Sequence, residues 1–266
     1  DVLIPDPGYV NYGRGVQLAG GVPCYVPLSG DFVFRPQDLP REQLLSARLC
    51  WLNTPANPTG AVASLADLRA AYDACRSAEV LVVCDELYAD LYQGEPPAPL
   101  LQVGREGALV VGSLSKRSAM TGYGSGFVAG CAETIARLSK LRDSYGPKPT
   151  DFVNAAAAAA WSDDAHVTVR RERFAARKRL LLSFVRDELG LEVVGAEATF
   201  YLWVRVPEGH TGESMAADLL QAGVVVYPGA WQGATSAGER WVRLAACLPE
   251  DQLNAAMAAW RKHWKR

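Results

Sequence analysis

A lysine near the end of an apolar run is the first residue of this sequence whose type and position indicate chemistry. Lys116 follows the run 108–111 and the serines Ser113 and Ser115, and several glycines come soon after it. Lysine is almost never fully buried without a partner, and its amine becomes a nucleophile or base where the surroundings lower its pKa. Lys116 is therefore a candidate reactive amine, with an ordinary surface lysine as the alternative.

Two other apolar runs also end in polar side chains. Asn57 follows one of them, and Asp85 and Tyr88 follow the other. In an open α/β sheet, ligands bind at the edge where the carboxyl ends of the strands meet. We therefore expect these three side chains to converge with Lys116, although a turn asparagine, a capping aspartate and a core tyrosine remain the alternatives.

Composition limits the kind of protein this can be. The 266 residues are 49% hydrophobic and 21% charged, which is typical of a globular chain, and the net charge of −2 gives no reason to expect nucleic acid as a partner. No apolar stretch is long enough to span a bilayer. The six cysteines form no C-x-x-C, and the three histidines are scattered. We predict no metal site and no membrane association, and a reducing cytoplasm as the location.

Apolar strands alternate with helical patterns along the first part of the chain. Ser64 followed by Asp67 predicts a capped helix start, and this helix leads into the strand that ends at Asp85. This alternation predicts an α/β fold with a mainly parallel sheet covered by helices on both faces. Residues 163–188 form one long helical pattern rich in Arg and Lys, which we interpret as a solvated helix face. Shorter strands and helices after it predict an α+β region.

Three motifs in order carry a family resemblance. They are Asn57-Pro58-Thr59-Gly60, Asp85-Glu86-Leu87-Tyr88 and Ser113-Leu114-Ser115-Lys116. At this spacing they resemble the class I/II aminotransferases, which are fold type I enzymes of pyridoxal 5'-phosphate (PLP). The runs Ser-Leu-Ser-Lys-Arg-Ser and Phe-Tyr-Leu-Trp are similar, more narrowly, to those of succinyldiaminopimelate aminotransferases.

The resemblance implies a domain organisation. Residues 1–162 correspond to the PLP-binding large domain, residues 163–188 to a connecting helix, and residues 189–266 to a smaller C-terminal α+β domain. Relatives carry a further segment before the position of Asp1, with a loop that grips the cofactor phosphate, so we expect either a fragment or a departure from the family. Relatives also build the active site across a homodimer, and the resemblance implies one here.

The resemblance also implies roles around the cofactor ring. Lys116 binds PLP covalently and then moves the substrate proton, while Asp85 faces the pyridine nitrogen and keeps it protonated. Tyr88 and Asn57 donate hydrogen bonds to the phenolic oxygen of the cofactor. Tyr9 corresponds to the aromatic residue that walls the ring, although an isolated aromatic residue is more often part of the core.

Further roles concern phosphate and substrate. Ser113 and Ser115 are expected to bind the cofactor phosphate, with strand-end capping as the alternative. Arg243 breaks an apolar strand, and by resemblance it binds the α-carboxylate of the substrate together with Asn57. One departure is that Gly124 stands where relatives place an arginine on the phosphate. We therefore expect weaker binding of the cofactor phosphate. Arg117 is a possible substitute for the missing arginine.

The activity implied by the resemblance is transamination between an amino acid and a 2-oxo acid. The narrow prediction is succinyl-L,L-diaminopimelate with 2-oxoglutarate, a reaction of lysine biosynthesis. Both partners are small molecules. Two alternatives stay open, namely another aminotransferase specificity and a non-catalytic relative that holds PLP weakly.

Overall fold

Six strands in the first half of the chain form one mixed sheet in the computed structural model, which describes residues 1–145 and 148–264. They are β1 (Val2–Asp6), β2 (Pro23–Pro27), β3 (Leu49–Asn53), β4 (Leu81–Asp85), β5 (Ala108–Ser113) and β6 (Gly126–Gly130). Their order across the sheet is β2-β1-β3-β4-β5-β6. All neighbouring pairs are parallel except β5 and β6, which run antiparallel. The carboxyl ends of β3, β4 and β5 therefore lie along one edge.

Helices connect and cover these strands. They are α1 (Asn11–Leu18), α2 (Arg41–Ser46), α3 (Leu65–Ser77), α4 (Leu114–Arg117), α5 (Ala132–Ser144) and α6 (Asp151–Trp161). The predicted capped start of α3 is confirmed, because Ser64 and Asp67 form a reciprocal capping box. One face of the sheet packs against α3 through a core that includes Leu3, Cys50 and Leu68. The other face packs against α1.

A second sheet follows a long helix. The helix α7 (Ala165–Ser183) continues as one wider turn over Phe184–Glu188, and it precedes β7 (Val193–Val194), β8 (Tyr201–Arg205), β9 (Tyr227–Pro228) and β10 (Trp241–Ala245). The sheet order is β7-β8-β10-β9, and its pairs are antiparallel. The helices α8 (Gly212–Gln221) and α9 (Glu250–Trp264) pack on it around a separate core. The predicted α/β fold with a smaller α+β region is confirmed, while the predicted domain boundaries stay a prediction.

The basic helical stretch differs from its interpretation as a solvated face. Lys178 is 1% exposed, and Arg170 donates to the backbone carbonyls of Lys116 and Arg117. The predicted solvated face is therefore wrong for part of α7, because some of its cations satisfy backbone carbonyl groups of neighbouring segments. Within the described part of the chain, no helix combines the length and apolar character needed to cross a bilayer.

Candidate active site

A cavity of about 230 Å³ lies where the carboxyl ends of β3, β4 and β5 meet the second sheet. Parallel strands deliver the residues that follow them to the same sheet edge, which is why side chains far apart in sequence meet here. The cavity brings together six of the predicted site residues. Its lining consists of Tyr9, Tyr12, Asn53, Asn57, Asp85, Leu87, Tyr88, Lys116, Tyr201 and Arg243.

Asp85 is the carboxylate of this cavity. Its Oδ2 atom accepts a hydrogen bond of 2.6 Å from the Tyr12 hydroxyl, and its Oδ1 atom accepts one of 3.0 Å from the Leu87 amide. Burial raises the pKa of Asp85, and these two donors act in the opposite direction. The neighbouring Glu86 lies outside the cavity, where it accepts the Leu100 amide at 2.7 Å. Asp85 is thus a fixed, desolvated carboxyl group.

Two phenols and a guanidinium group form the wall opposite. The hydroxyls of Tyr88 and Tyr201 lie 2.6 Å apart, and Arg243 stacks on the Tyr201 ring at 4.4 Å and on the Tyr227 ring at 4.9 Å. Burial raises the pKa of Tyr88 and of Tyr201, so both phenols stay protonated at neutral pH and can donate hydrogen bonds.

Arg243 is held from the side as well. Its Nη1 atom donates to Asn57 Oδ1 at 2.7 Å and to the buried Gln232 Oε1 at 3.4 Å. Because Asn57 accepts through its oxygen, its amide NH₂ group can donate to a ligand. The Nε atom of Arg243 is buried without a hydrogen-bond partner in the described structure. The Arg243 side chain lines the cavity, and a guanidinium group there suits an anionic ligand such as a carboxylate.

Lys116 reaches the cavity from the last turn of α4. Arg170 of α7 fixes the backbone beneath it by donating to the carbonyls of Arg117 at 3.1 Å and Lys116 at 3.3 Å. His166 of α7 bonds to the Ser118 hydroxyl at 2.8 Å. The amine therefore projects from a turn that a second element holds in place.

The two predicted phosphate serines lie beside the cavity without lining it. Ser113 Oγ is 2.9 Å from Ser115 Oγ and 2.8 Å from the carbonyl oxygen of Ser125, and it accepts the Ser115 amide at 3.1 Å. Ser113 therefore caps α4, as the alternative interpretation expects. Their binding of phosphate stays a prediction.

Arg117 does not take the place of the missing phosphate arginine. It is 6% exposed, it donates to the carbonyl of Ala160 at 2.7 Å, and it pairs with the carboxylates of Asp90 and Asp164. Its guanidinium group also lies over the Trp161 ring at 5.1 Å. Arg117 thus connects α4 to the start of α7.

Sequence reasoning missed several residues of the cavity. Tyr12, Tyr201 and Asn53 occupy positions whose patterns resemble ordinary core or turn positions, as does Gln232, which contacts Arg243 without lining the cavity. Asn53 joins the Asn57 turn to β4 by accepting the Asn57 amide and donating to the Asp85 carbonyl, both at 2.8 Å. Only its place at the carboxyl end of β3 could have indicated this role.

Comparisons with known proteins agree with this geometry. A model of the family "Aminotransferase class I and II" matches residues 1–259. An LL-diaminopimelate aminotransferase of Desulforudis audaxviator is 36% identical to this chain over 96% of its residues. The LL-diaminopimelate aminotransferase of Aquifex aeolicus is 32% identical over 95% of the chain. The chain spans 66% of the length of each of these two curated relatives.

Solved structures give the same assignment. The aromatic aminotransferase of Pyrococcus horikoshii is 31% identical, with a TM-score of 0.88 over 99% of this chain and 73% of its own. A mutant aspartate aminotransferase of Thermus thermophilus is 28% identical, with a TM-score of 0.90 over 98% of this chain and 73% of its own. On the strength of the family match, the chain belongs to the class I and II aminotransferases, a family of PLP-dependent proteins.

Proposed function

We propose that the protein transfers an amino group between an amino acid and a 2-oxo acid with PLP as cofactor. One observation carries this proposal: a single cavity joins the amine of Lys116, the buried carboxyl group of Asp85 and the guanidinium group of Arg243. Transamination needs a base near the substrate Cα, a partner for the pyridine nitrogen and a grip on the carboxylate.

The residues present fit PLP at its ring. PLP supplies the electron sink, and it needs an amine for attachment and an anion beside its ring nitrogen. Lys116 and Asp85 offer these two groups, and the phenol of Tyr88 and the amide of Asn57 are available as donors to the phenolic oxygen. Tyr9 lies at the mouth of the same cavity, and its predicted contact with the ring face stays a prediction.

The protein residues then perform separate tasks. Lys116 would take the proton from the substrate Cα and return it to the reacting molecule, because its amine lines the cavity and can act as a base. Asp85 would face the ring nitrogen as a carboxylate, and Tyr12 and the Leu87 amide stabilise its ionised form. Arg243 and Asn57 orient the substrate through its carboxylate.

Our proposal for the amino donor is based on the activities named for the curated relatives described above. Both curated relatives are LL-diaminopimelate aminotransferases, which supports a diaminopimelate-type donor. The succinylated form of that substrate stays a prediction. The structural neighbours include an aromatic and an aspartate aminotransferase, so the fold alone leaves the side-chain specificity open.

A donor panel tests this proposal. LL-diaminopimelate, its N-succinyl derivative, aspartate and phenylalanine would each be incubated with 2-oxoglutarate and PLP, and glutamate formation would be measured. We expect the highest kcat/KM for a diaminopimelate-type donor. A higher kcat/KM for aspartate or phenylalanine would show that the preferred donor belongs to a different class. If no donor yields glutamate, the proposal of transamination is contradicted.

Replacing Arg243 with lysine should weaken the binding of both substrates. A lysine amine cannot form the two parallel hydrogen bonds of a guanidinium group, and it loses the stacking on Tyr201 and Tyr227. We expect KM for the amino acid and for the 2-oxo acid to rise by about tenfold or more. Arg205→Lys at the exposed end of β8 is the matched control and should leave both constants unchanged. If Arg243→Lys behaves like this control, Arg243 does not bind the substrates.

A non-catalytic relative with weak PLP binding is the second candidate, and the phosphate side of the site favours it. Ser113 is occupied by capping, Arg117 is engaged with Asp90 and Asp164, and Gly124 replaces the family's arginine. An absorbance spectrum of the purified protein separates the candidates, because covalently bound PLP absorbs visible light. Persistent absence of that band at saturating PLP would favour the non-catalytic relative.

Restoring an arginine at Gly124 should tighten PLP binding. A side chain meets open space there, but φ is +58°, which costs a non-glycine residue about 1–2 kcal/mol. That cost falls on folding and is the same with and without PLP, whereas a charge-assisted bond to phosphate contributes about 1.5–3 kcal/mol to binding, so we expect tightening of about tenfold to a hundredfold. The measurement is a PLP titration of both proteins at equal ionic strength.

Gly122→Arg provides the control for charge alone. Gly122 also faces open space, without a positive φ. Gly124→Arg should tighten binding more than Gly122→Arg does. Equal affinities in all three folded proteins would mean that the turn does not face the phosphate.

A further inference from the structure

Lys178 of α7 is a buried cation outside the cavity. Its side chain is 1% exposed, and its Nζ atom donates to the carbonyl of Ala198 at 2.6 Å and to that of Thr199 at 3.1 Å. Both acceptors are neutral carbonyl oxygens, and burial lowers the pKa of Lys178 to about 8. The Glu197 carboxylate acts on this pKa in the opposite direction to burial, but neither hydrogen bond of the ammonium group goes to a carboxylate, and burying a cation in this way is unfavourable by itself. In the fold, Lys178 therefore binds the backbone carbonyls of Ala198 and Thr199.

The segment that Lys178 holds has an unusual backbone. Thr199 has φ of +61°, a region that a β-branched residue rarely adopts. Its amide donates to the carbonyl of Leu91 at 2.6 Å, and its Oγ1 atom accepts the Tyr201 amide at 3.0 Å. The conformation at Thr199 thus determines where β8 begins and where Tyr201 lies.

The same segment borders the candidate active site on two sides. The Tyr201 hydroxyl lies 2.6 Å from that of Tyr88, and the Tyr201 ring supports the Arg243 guanidinium group. At the other end, a Cβ added to Gly60 would clash with the Gly195 carbonyl oxygen, so the segment also packs closely against the turn of Asn57. A shift of residues 195–201 would therefore move the phenol pair, the arginine support and the Asn57 turn together.

We propose that Lys178 is a positioning residue that fixes the Ala198 and Thr199 carbonyls and thereby places Tyr201 against Tyr88 and Arg243. The inference deepens the proposed function and rests on it, because Arg243 matters for catalysis only if it binds the substrate carboxylate. Lys178 does not line the cavity, so its effect passes through residues 198–201.

Lys178→Met tests this role, because methionine keeps much of the volume and removes the ammonium donors. Amide hydrogen exchange should become at least about tenfold faster at Thr199 and Tyr201 than in the unmodified protein. KM for the amino acid and the 2-oxo acid should rise together by about tenfold, with a smaller change in kcat.

Leu181→Ala on the same helix is the control for lost stability. Leu181 is buried in the core of the second sheet, and it is not part of the candidate site. This variant should lower the unfolding midpoint while leaving both KM values and the relative exchange at Thr199 unchanged. If Lys178→Met matches it in every respect, Lys178 is a structural residue only.

A second substitution should rescue the first. Asparagine tolerates positive φ, and its side-chain oxygen can accept the amide two residues later, as Thr199 Oγ1 does. Thr199→Asn in the Lys178→Met background should therefore restore at least half of the lost exchange protection and lower KM again. A double variant no better than Lys178→Met would overturn the positioning role.

The outcomes separate this inference from the proposed function. If the unmodified protein transfers no amino group, the proposed function fails, while exchange at Thr199 and Tyr201 still tests the effect of Lys178 on the segment. If Lys178→Met does not fold, Lys178→Gln takes its place, because glutamine keeps an NH₂ donor on a shorter, uncharged side chain. Faster exchange at Thr199 and Tyr201 together with raised KM values would support the inference, and exchange and KM values equal to those of the unmodified protein would contradict it.

Discussion

Replacing Lys116 with alanine is expected to abolish transamination and covalent cofactor attachment together. The amine is the group of the cavity that can bond covalently to a carbonyl and also move a proton at the substrate Cα. We expect kcat to fall by about 10³-fold or more, since general base catalysis alone contributes about 10²–10⁴-fold. The measurement is glutamate formation from the best donor, with folding checked by circular dichroism.

Lys116→Arg is the matched control for charge. It keeps a cation at the end of α4, but a guanidinium group stays protonated and cannot act as the nucleophile or base. We expect it to be as inactive as Lys116→Ala. Borohydride reduction of the unmodified protein with PLP, followed by peptide mapping, should label Lys116, and a label on another lysine with Lys116 clean would end the assignment.

Asp85→Asn should leave PLP bound and reduce turnover by orders of magnitude. A neutral amide cannot stabilise a protonated ring nitrogen, so the cofactor ring becomes a poorer electron acceptor. The substitution preserves shape at a site that already receives hydrogen bonds from Tyr12 and the Leu87 amide. The measurement is kcat together with a PLP titration. Full activity in the folded variant would show that Asp85 has only a structural role.

Tyr12→Phe separates the charge of Asp85 from its hydrogen bonding. The variant removes the 2.6 Å hydrogen bond from the Tyr12 hydroxyl to Asp85 and keeps the carboxylate. The loss in kcat should therefore stay within about tenfold. The Tyr12 hydroxyl lowers the pKa of Asp85 against the effect of burial. Without it that pKa rises further, and the acid limb of the pH–rate profile should move to higher pH. An unchanged limb would mean that Asp85 does not control it.

The arrangement of the main side chains was predictable because it follows from topology. Asn57, Asp85 and Lys116 each lie at or just after the end of β3, β4 or β5, and these three parallel neighbours present their carboxyl ends at one edge of the sheet. Ser64 and Asp67 likewise predicted the start of α3 from a local pattern. Local rules of this kind act between residues that are near in sequence or in adjacent strands, so the sequence alone reveals them.

Contacts between remote elements were not predictable in the same way. Tyr12 and Asp85 are 73 positions apart, and nothing in the α1 pattern distinguishes this phenol from a core aromatic residue. Lys178 was hidden in a basic run, although it shares a helical stripe with Val167, Phe174 and Leu181, which could have indicated burial. Ser113 also shows the limit, since capping and phosphate binding both favour a serine at a strand end.

Transfer of a heavy-nitrogen label would show amino-group transfer and its dependence on Lys116 in one measurement. The protein, saturated with PLP, would be given amino-labelled LL-diaminopimelate and unlabelled 2-oxoglutarate, and glutamate would be examined by mass spectrometry beside Lys116→Ala. We expect labelled glutamate from the unmodified protein and none from the variant. Unlabelled glutamate only, or equal labelling by both proteins, would contradict a Lys116-dependent aminotransferase.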